Sequence, residues 1–330
     1  MATHYLYGTI LTGEAVAANN RGDNIGNTMT LQKVFHQDDL HTSVSAESIR
    51  FALRYRFQLE GMHINRSYDP EAGRLSYEDE KRTAWNPANG NVYIDDDLMG
   101  FMDAEAAKQE REDEEPEATE SSELKTTRGR KPVKGKTTKR PSPLAIGRAV
   151  SLRPYRGELS FNAVSGAKTK GALSLYNTEM HTTEYQYSFG LNLSDVVKKE
   201  HIGHLLDAII DPPPVAGNHA RFAYDFSPAS IVLRVTSAHA SKIQNCFEHN
   251  EEHRTYTVAR LLRRIESGDI PASELIVGGE VPVTPEGIRL KELGVAVFAG
   301  VKAAADEARR CIADRDATFT VLASLGRVRM

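Results

Sequence analysis

From His4 to Thr12 the chain alternates and is rich in Tyr, Leu and Ile, which predicts an opening strand. A polar stretch follows, Thr12-Gly-Glu and then Arg21-Gly-Asp-Asn-Ile-Gly-Asn, with the composition of a loop. Ile49, Ala52, Leu53 and Phe57 then recur at helical spacing and predict a helix over about 45–60. Ser45 suits its N-cap, Glu47 complements the positive end of the first turn, and Gly61 ends it. The cleanest alternation lies over 184–193. Tyr185, Tyr187, Phe189, Leu191 and Leu193 share one face, and Glu184, Gln186, Ser188, Gly190 and Asn192 the other. Ser194 would cap a second helix with the stripe Val197, Ile202, Leu205, Leu206 and Ile209, stopped by Pro212-Pro-Pro. Another strand is expected over Ser230–Thr236, and a short helix over Thr255–Glu266, closed by Gly268. Thr284 and Pro285 open a long helix through about Arg310, and Thr318–Ala323 reads as a last strand. Strand, helix, strands, then strand, helix, strand predicts an α+β fold of split βαβ (ferredoxin-like) type with insertions and peripheral helices. Other α+β arrangements share that pattern.

Charge changes this outline in the middle of the chain. Of the 330 residues, 40% are apolar and 26% charged, within the globular norm, and the net charge is −4. Between Asp103 and Glu123 stand ten acidic residues and two basic ones, and between Leu124 and Arg140 eight basic residues and no acid. Large apolar side chains are almost absent over 104–143. Such a segment buries too little surface to offset an ordering entropy of about 1–2 kcal/mol per residue. Residues 103–142 are therefore expected to be a disordered charged insertion between folded parts, either a solvated linker or a flexible phosphate-binding arm. No run approaches the roughly 20 apolar residues that cross a bilayer, so no membrane partner is expected. The N-terminus lacks the order of a secretory signal, and two cysteines cannot make a disulfide framework, so the expected compartment is the cytoplasm.

Candidate chemistry gathers around the first predicted helix. Arg50 and Arg54 are four apart and project on one side of it, and Arg21, Asn24, Asn27 and Lys33 lie in the preceding stretch. Arginines at that spacing can each fork onto phosphate oxygens, and Ser45 with the N–H groups of the helix start can take another. The same spacing also suits ordinary surface arginines, with Glu47 bridging Arg50. Leu159–Val164 and Ala172–Tyr176 flank a tip containing Lys168 and Lys170, which suggests a projecting hairpin. Enzyme-like signals fail. Cys246-x-x-His249-x-x-x-His253 lacks a fourth ligand, and Asp95-Asp96-Asp97 suits a solvated loop better than a Mg²⁺ site. No P-loop, G-x-G-x-x-G or G-x-S-x-G occurs, nor the aromatic signature of ordinary RNA-recognition motifs. No cofactor is expected.

Several segments, in order, resemble the DevR family, the crRNA-binding backbone subunits of type I-B CRISPR Cascade complexes. They are Tyr5-Leu-Tyr-Gly-Thr-Ile-Leu-Thr, Gly22-Asp-Asn-Ile-Gly-Asn, the helix from Ser43 to Arg54, Asp95-Asp-Asp-Leu-Met-Gly-Phe-Met, Ser142-Pro-Leu-Ala-Ile-Gly-Arg-Ala, and Glu179-Met-His-Thr-Thr-Glu-Tyr-Gln-Tyr. The resemblance runs to about Phe247. It implies a modified RRM-like palm built from 1–102 and 143–330, with a thumb near 155–182. It also implies a non-catalytic subunit that polymerises head-to-tail along a CRISPR guide RNA and presents its bases to target DNA in antiviral defence or RNA-guided targeting. Its partners would be the guide, target DNA through the guide, further copies of itself and other Cascade subunits. The RNA-binding residues carried over are Arg21, Asn24, Asn27, Lys33, Ser45, Arg50 and Arg54, with Lys168, Lys170 and His181 from the thumb region. Two alternatives stand beside it. One is a metal-dependent ribonuclease using Asp23, Asp38 or Asp39. The other is a protein-interaction scaffold without nucleic acid.

Overall fold

The opening alternation forms strand β1 (Tyr5–Thr12). In this computed structural model the described residues are 4–18, 24–102, 139–163, 175–215, 225–250 and 255–326. The stretch expected to be a loop instead supplies β2 (Ala15–Ala18), β3 (Lys33–His36) and β4 (Asp39–Val44), besides the small pair Asn24–Ile25 and Thr28–Met29. Strands this short carry little periodicity, and their pairing partners fix them. Helix α1 (Ala46–Leu59) follows as predicted. The Ser45 hydroxyl accepts the Ser48 N–H at 3.2 Å, and Ile49, Ala52, Leu53 and Phe57 are buried.

Helix α2 (Ile94–Met99) comes next, then β5 (Leu144–Ile146) and β6 (Ala149–Ser151). The two arms of the expected hairpin are β7 (Glu158–Ala163) and β8 (Leu175–Thr183), antiparallel from Glu158↔Met180 to Ala163↔Leu175. Strand β9 (Tyr185–Asn192) realises the cleanest alternation, and β10 (Pro228–Thr236) the later one. The second helix begins later than expected. Asn192 and Asp195 close a turn through Ser194, and α3 spans Glu200–Ile210. Thr255–Thr257 pairs with Glu248–Asn250, so α4 is confined to Ala259–Glu266. After β11 (Leu275–Gly279), the long helix expected from Pro285 is broken. It ends as α5 (Pro285–Glu292), and Gly294 turns left-handed at φ 89°. Strand β12 (Ala296–Phe298) follows, and α6 (Val301–Gly326) then runs through the segment expected as a last strand. There a nucleated helix gains one hydrogen bond per added residue, which overrides the local β-preference of Thr318–Ala323.

The fold is α+β, with six α-helices among the described residues and a nine-stranded central sheet. The strand order is β12-β11-β10-β1-β9-β6-β4-β3, and β5 also pairs with β9. Every pairing is antiparallel except β11 with β12. One face carries the main core. There Leu6, Ile10, Tyr185, Leu191, Ile231 and Leu233 meet α1, α3 and α6 through Leu53, Phe57, Leu205, Ile209 and Ala308. The opposite face is covered over β10 and β11, where Val232 and Val277 pack with Ile243, Phe247, Tyr256, Leu261 and Ile265. A second sheet joins β7, β8, the 24–29 pair and β2. At the near ends of the charged segment Met102 pairs with Lys139 and Phe101 with Arg140, while residues 103–138 lie outside the described part.

Candidate nucleic-acid interface

The start of α1 stands at an edge of the central sheet, and two arginines meet it there. Arg50 donates to the Leu144 carbonyl on β5 at 3.0 Å, so its guanidinium lies against the edge strand. Arg148, exposed between β5 and β6, reaches Ser43 Oγ at 3.1 Å and Gln32 Oε1 at 3.4 Å. Neither forms an ion pair with a described carboxylate, and the Glu47–Arg50 bridge allowed by the sequence is not formed. Ser45 and Ser48 sit beside them at the helix start, their hydroxyls 3.1 Å apart. The result is a half-exposed cationic edge with hydroxyl groups and a helix N-terminus, a combination suited to phosphate oxygens.

The other expected residues distribute differently. Lys33 lies on β3, with Nζ 2.5 Å from Glu179 Oε2 and 5.0 Å above the Tyr155 ring; the same carboxylate accepts the Leu31 N–H. Its charge is therefore neutralised locally. Arg54 shares a side of α1 with Arg50 but turns inward, its Nε 4.0 Å from Asp95 Oδ2. Burial lowers its pKa, and Asp95 acts against that. His181, expected at RNA, is an interior residue: 4% exposed, with Nδ1 2.8 Å from Thr42 Oγ1. Burial lowers its pKa to about 4, which keeps it neutral at pH 7. Asn27 is exposed in the turn between Asn24–Ile25 and Thr28–Met29, and its carbonyl accepts the Asn177 N–H. Asn24 is described in its backbone only, and Arg21, Lys168, Lys170, Asp23 and His253 lie outside the described residues.

Asp95, Asp96 and Asp97 do not form the solvated loop expected. They are buried on α2, and each has its own partners. Asp95 accepts the Asn65 and Arg66 N–H groups; Asp96 accepts Asn65 Nδ2 at 2.7 Å and faces Arg82 Nε at 3.1 Å. Asp97 accepts the Val197 and Lys198 N–H groups at 3.0 and 3.1 Å, pairs with Arg140 at 2.6 Å and lies 2.9 Å from His201 Nδ1. Burial and the neighbouring Asp95 raise the Asp96 pKa to about 6. Burial also acts to raise that of Asp97, but the His201, Val197 and Lys198 hydrogen bonds and the Arg140 charge outweigh it and hold it below the ordinary value. Asp38 lies in the exposed hairpin turn and Asp39 opens β4 beside it, and among the described residues no three His, Cys, Asp or Glu side chains converge on a metal position. Cys246 is buried, and burial raises its thiol pKa to about 12.

A model of the family described as CRISPR-associated negative auto-regulator DevR/Csa2 matches residues 10–266. The Myxococcus xanthus (strain DK1622) protein described as CRISPR-associated protein Cas7/Cst2/DevR is 39% identical over 309 residues, 91% of this chain and 95% of its own. The chain belongs to the DevR/Csa2 family. Its fold recurs in a chain of a solved CRISPR RNA-guided surveillance complex at TM-score 0.54 and 14% identity. It recurs again in a chain of such a complex before nicking, at 0.57 and 13%. Each alignment covers 93% of this chain and 99% of the other. The matched span of this DevR/Csa2 chain holds α1, the acidic α2 and Arg148. Arg148 was hidden in the sequence as one arginine between two three-residue strands, and only the sheet brings it to Ser43. Among the described residues no helix is long and apolar enough to cross a membrane.

Proposed function

We propose that this chain is a non-catalytic subunit that grips the sugar-phosphate backbone of a CRISPR guide RNA, polymerises head-to-tail along it and leaves its bases free to pair with target DNA. The observation that carries the reading is the cationic edge at the start of α1, where Arg50 and Arg148 stand without acidic partners among the described residues. Family membership and the shared fold of surveillance-complex chains support it. A subunit covering successive segments of a variable guide needs contacts blind to sequence, and phosphate contacts supply them. The bases then do the reading. We take the palm to be a split βαβ unit of RRM type, because β10, β1, β9 and the β5/β6 pair lie side by side in that order and antiparallel. The β7–β8 sheet is the thumb in this reading. Contacts between different patches on successive copies do not close, and guide length then sets copy number.

The test is guide-RNA binding by the full chain, followed by fluorescence anisotropy across a salt series. Replacing Arg50 and Arg148 together by alanine removes two phosphate contacts and lowers the slope of log affinity against log salt by about 1.4. An unchanged affinity and slope would refute the reading. Scattering measurements with and without guide test the assembly: particle mass should rise in steps with guide length.

A further inference from the structure

The face of the central sheet opposite the main core is only partly covered. The overlying segment is tied down by Thr9 Oγ1 to the Ile243 carbonyl at 2.7 Å and by Gln186 Nε2 to the Phe247 carbonyl at 3.0 Å. Tyr7 OH and Arg234 Nη1 hold the same segment at the His239, Ala240 and Ser241 carbonyls; over β9 and β5 the described residues leave the sheet partly exposed. Ser188, Gly190 and Asn192 alternate as half-exposed positions along β9, and Ala145, opposite Gly190, is exposed on β5. Because β1 and β5 both flank β9, the open strip is about 10 Å wide. Its floor is small: the Tyr7 ring lies over Gly190, where a Cβ would come within 3.0 Å of it.

One wall of the strip is aromatic. Tyr5 stacks on Tyr7 with centroids 5.6 Å apart, and the rings are held by a hydrogen bond between Tyr5 OH and His239 Nδ1 at 2.9 Å and one from Tyr7 OH to the His239 carbonyl at 2.6 Å. The opposite wall is cationic, since Arg148 leans on Ser43, which shares the strip's face. One carboxylate borders the strip, that of Asp195, which accepts Asn192 Nδ2 at 2.7 Å beside Tyr5. A gutter with a cation on one side and anchored rings on the other matches an unpaired nucleic-acid strand.

We propose that single-stranded RNA held at the α1 edge continues across this strip, its backbone passing Arg148 and a base or ribose resting against the Tyr5–Tyr7 ledge. The inference rests on the RNA-binding reading above and adds the path. Tyr5 and Tyr7 would stack without reading sequence, because every base has a π-face. The ordinary RNA-recognition arrangement is not reproduced, as Asn192 and Gly190 face Tyr5 and Tyr7 on β9.

Two measurements on the full chain test the path. Ultraviolet crosslinking of the bound guide, read by mass spectrometry, should place adducts in peptides carrying Tyr5, Tyr7 or His239; adducts confined to other peptides would overturn the proposal. In binding, Ala145→Glu sets a negative charge on the exposed floor and should weaken guide affinity about tenfold, against less than about threefold for the neutral isostere Ala145→Gln. Wild-type affinity for Ala145→Glu would overturn the path. If the Arg50/Arg148 double variant alone loses affinity, RNA binds at the edge and leaves the sheet there, so the path fails and the general reading stands. If neither variant loses affinity, both fall.

Discussion

Replacing Asp97 by alanine probes the densest electrostatic knot in the molecule. Its side chain is fully buried, and four donors depend on it: two backbone N–H groups at the lead-in to α3, the Arg140 guanidinium and the His201 ring. Truncation takes the carboxylate from Arg140, whose side chain is 16% exposed and keeps the Asp97 and Asp195 carbonyls, and leaves the Val197 and Lys198 N–H groups without their acceptor. Counting each charged hydrogen bond at about 1.5–3 kcal/mol would overshoot, because the intact carboxylate also bears a desolvation cost. Removing one partner of a buried pair sets a firmer scale, about 3–5 kcal/mol. With an unfolding entropy near 2.1 cal/mol/K per residue, that lowers Tm by about 4–7 °C for a chain of this length. The assay is thermal and urea unfolding of the full chain at pH 7, with Arg140→Ala and the double variant completing a cycle. The pair should couple by at least about 1 kcal/mol. A loss below about 1 kcal/mol for Asp97→Ala would refute the claim that this carboxylate joins α2, α3 and the base of the insertion. The pH dependence has a definite sign. A carboxyl held below its ordinary value contributes stability above that value and loses it as pH falls through the folded one, so the penalty of Asp97→Ala shrinks in acid.

Asp96 should behave in the opposite sense. With its pKa raised to about 6, its ionisation opposes folding as pH climbs from about 4 to about 6; relative to Asp96→Asn, wild-type stability should fall by of order 3 kcal/mol over that interval, measured by urea midpoints, and parallel curves would contradict the assignment. Gly100 has φ 67°, and a Cβ there would lie 2.4 Å from the Arg140 carbonyl oxygen, so Gly100→Ala should cost more than about 2 kcal/mol; a melting temperature within a degree of wild type would show that this clash is relieved. Phe57→Ala opens the core between α1 and the sheet and should destabilise by about 3–5 kcal/mol in the same unfolding assay, a value below 1 showing that the site collapses. Lys33→Ala should leave the salt slope of RNA binding unchanged, since its charge already faces Glu179; a drop as large as that of Arg148→Ala would show that RNA displaces the ion pair.

What the sequence revealed was whatever is periodic within one segment. The stripe Ile49-Ala52-Leu53-Phe57, its Ser45 cap and the alternation over 185–193 are local patterns, and each became the element expected. The strands between Ala15 and Val44 stayed hidden because two to six residues hold too few periods; β3 pairs with β4 next to it, but β8 and β6 tie the group into its sheets from more than a hundred residues away. The same distance concealed the acidic run. Three consecutive carboxylates ordinarily signal solvent, and here their partners come from 54, 65, 82, 140 and 201. Helical spacing placed Arg50 and Arg54 together but could not tell that only Arg54 would meet an acid inside. It was the sheet that brought Arg148 to Ser43 and buried His181 against Thr42.

The two-rung ladder of Phe101–Met102 with Lys139–Arg140 sets the beginning and end of the charged stretch about 5 Å apart, and the Trp85 ring 4.8 Å from the Arg140 guanidinium holds that junction shut. Whatever is threaded between those rungs meets the rest of the molecule at a closed gate. A foreign module spliced between those rungs would enter and leave the molecule at one place, its two ends already set side by side.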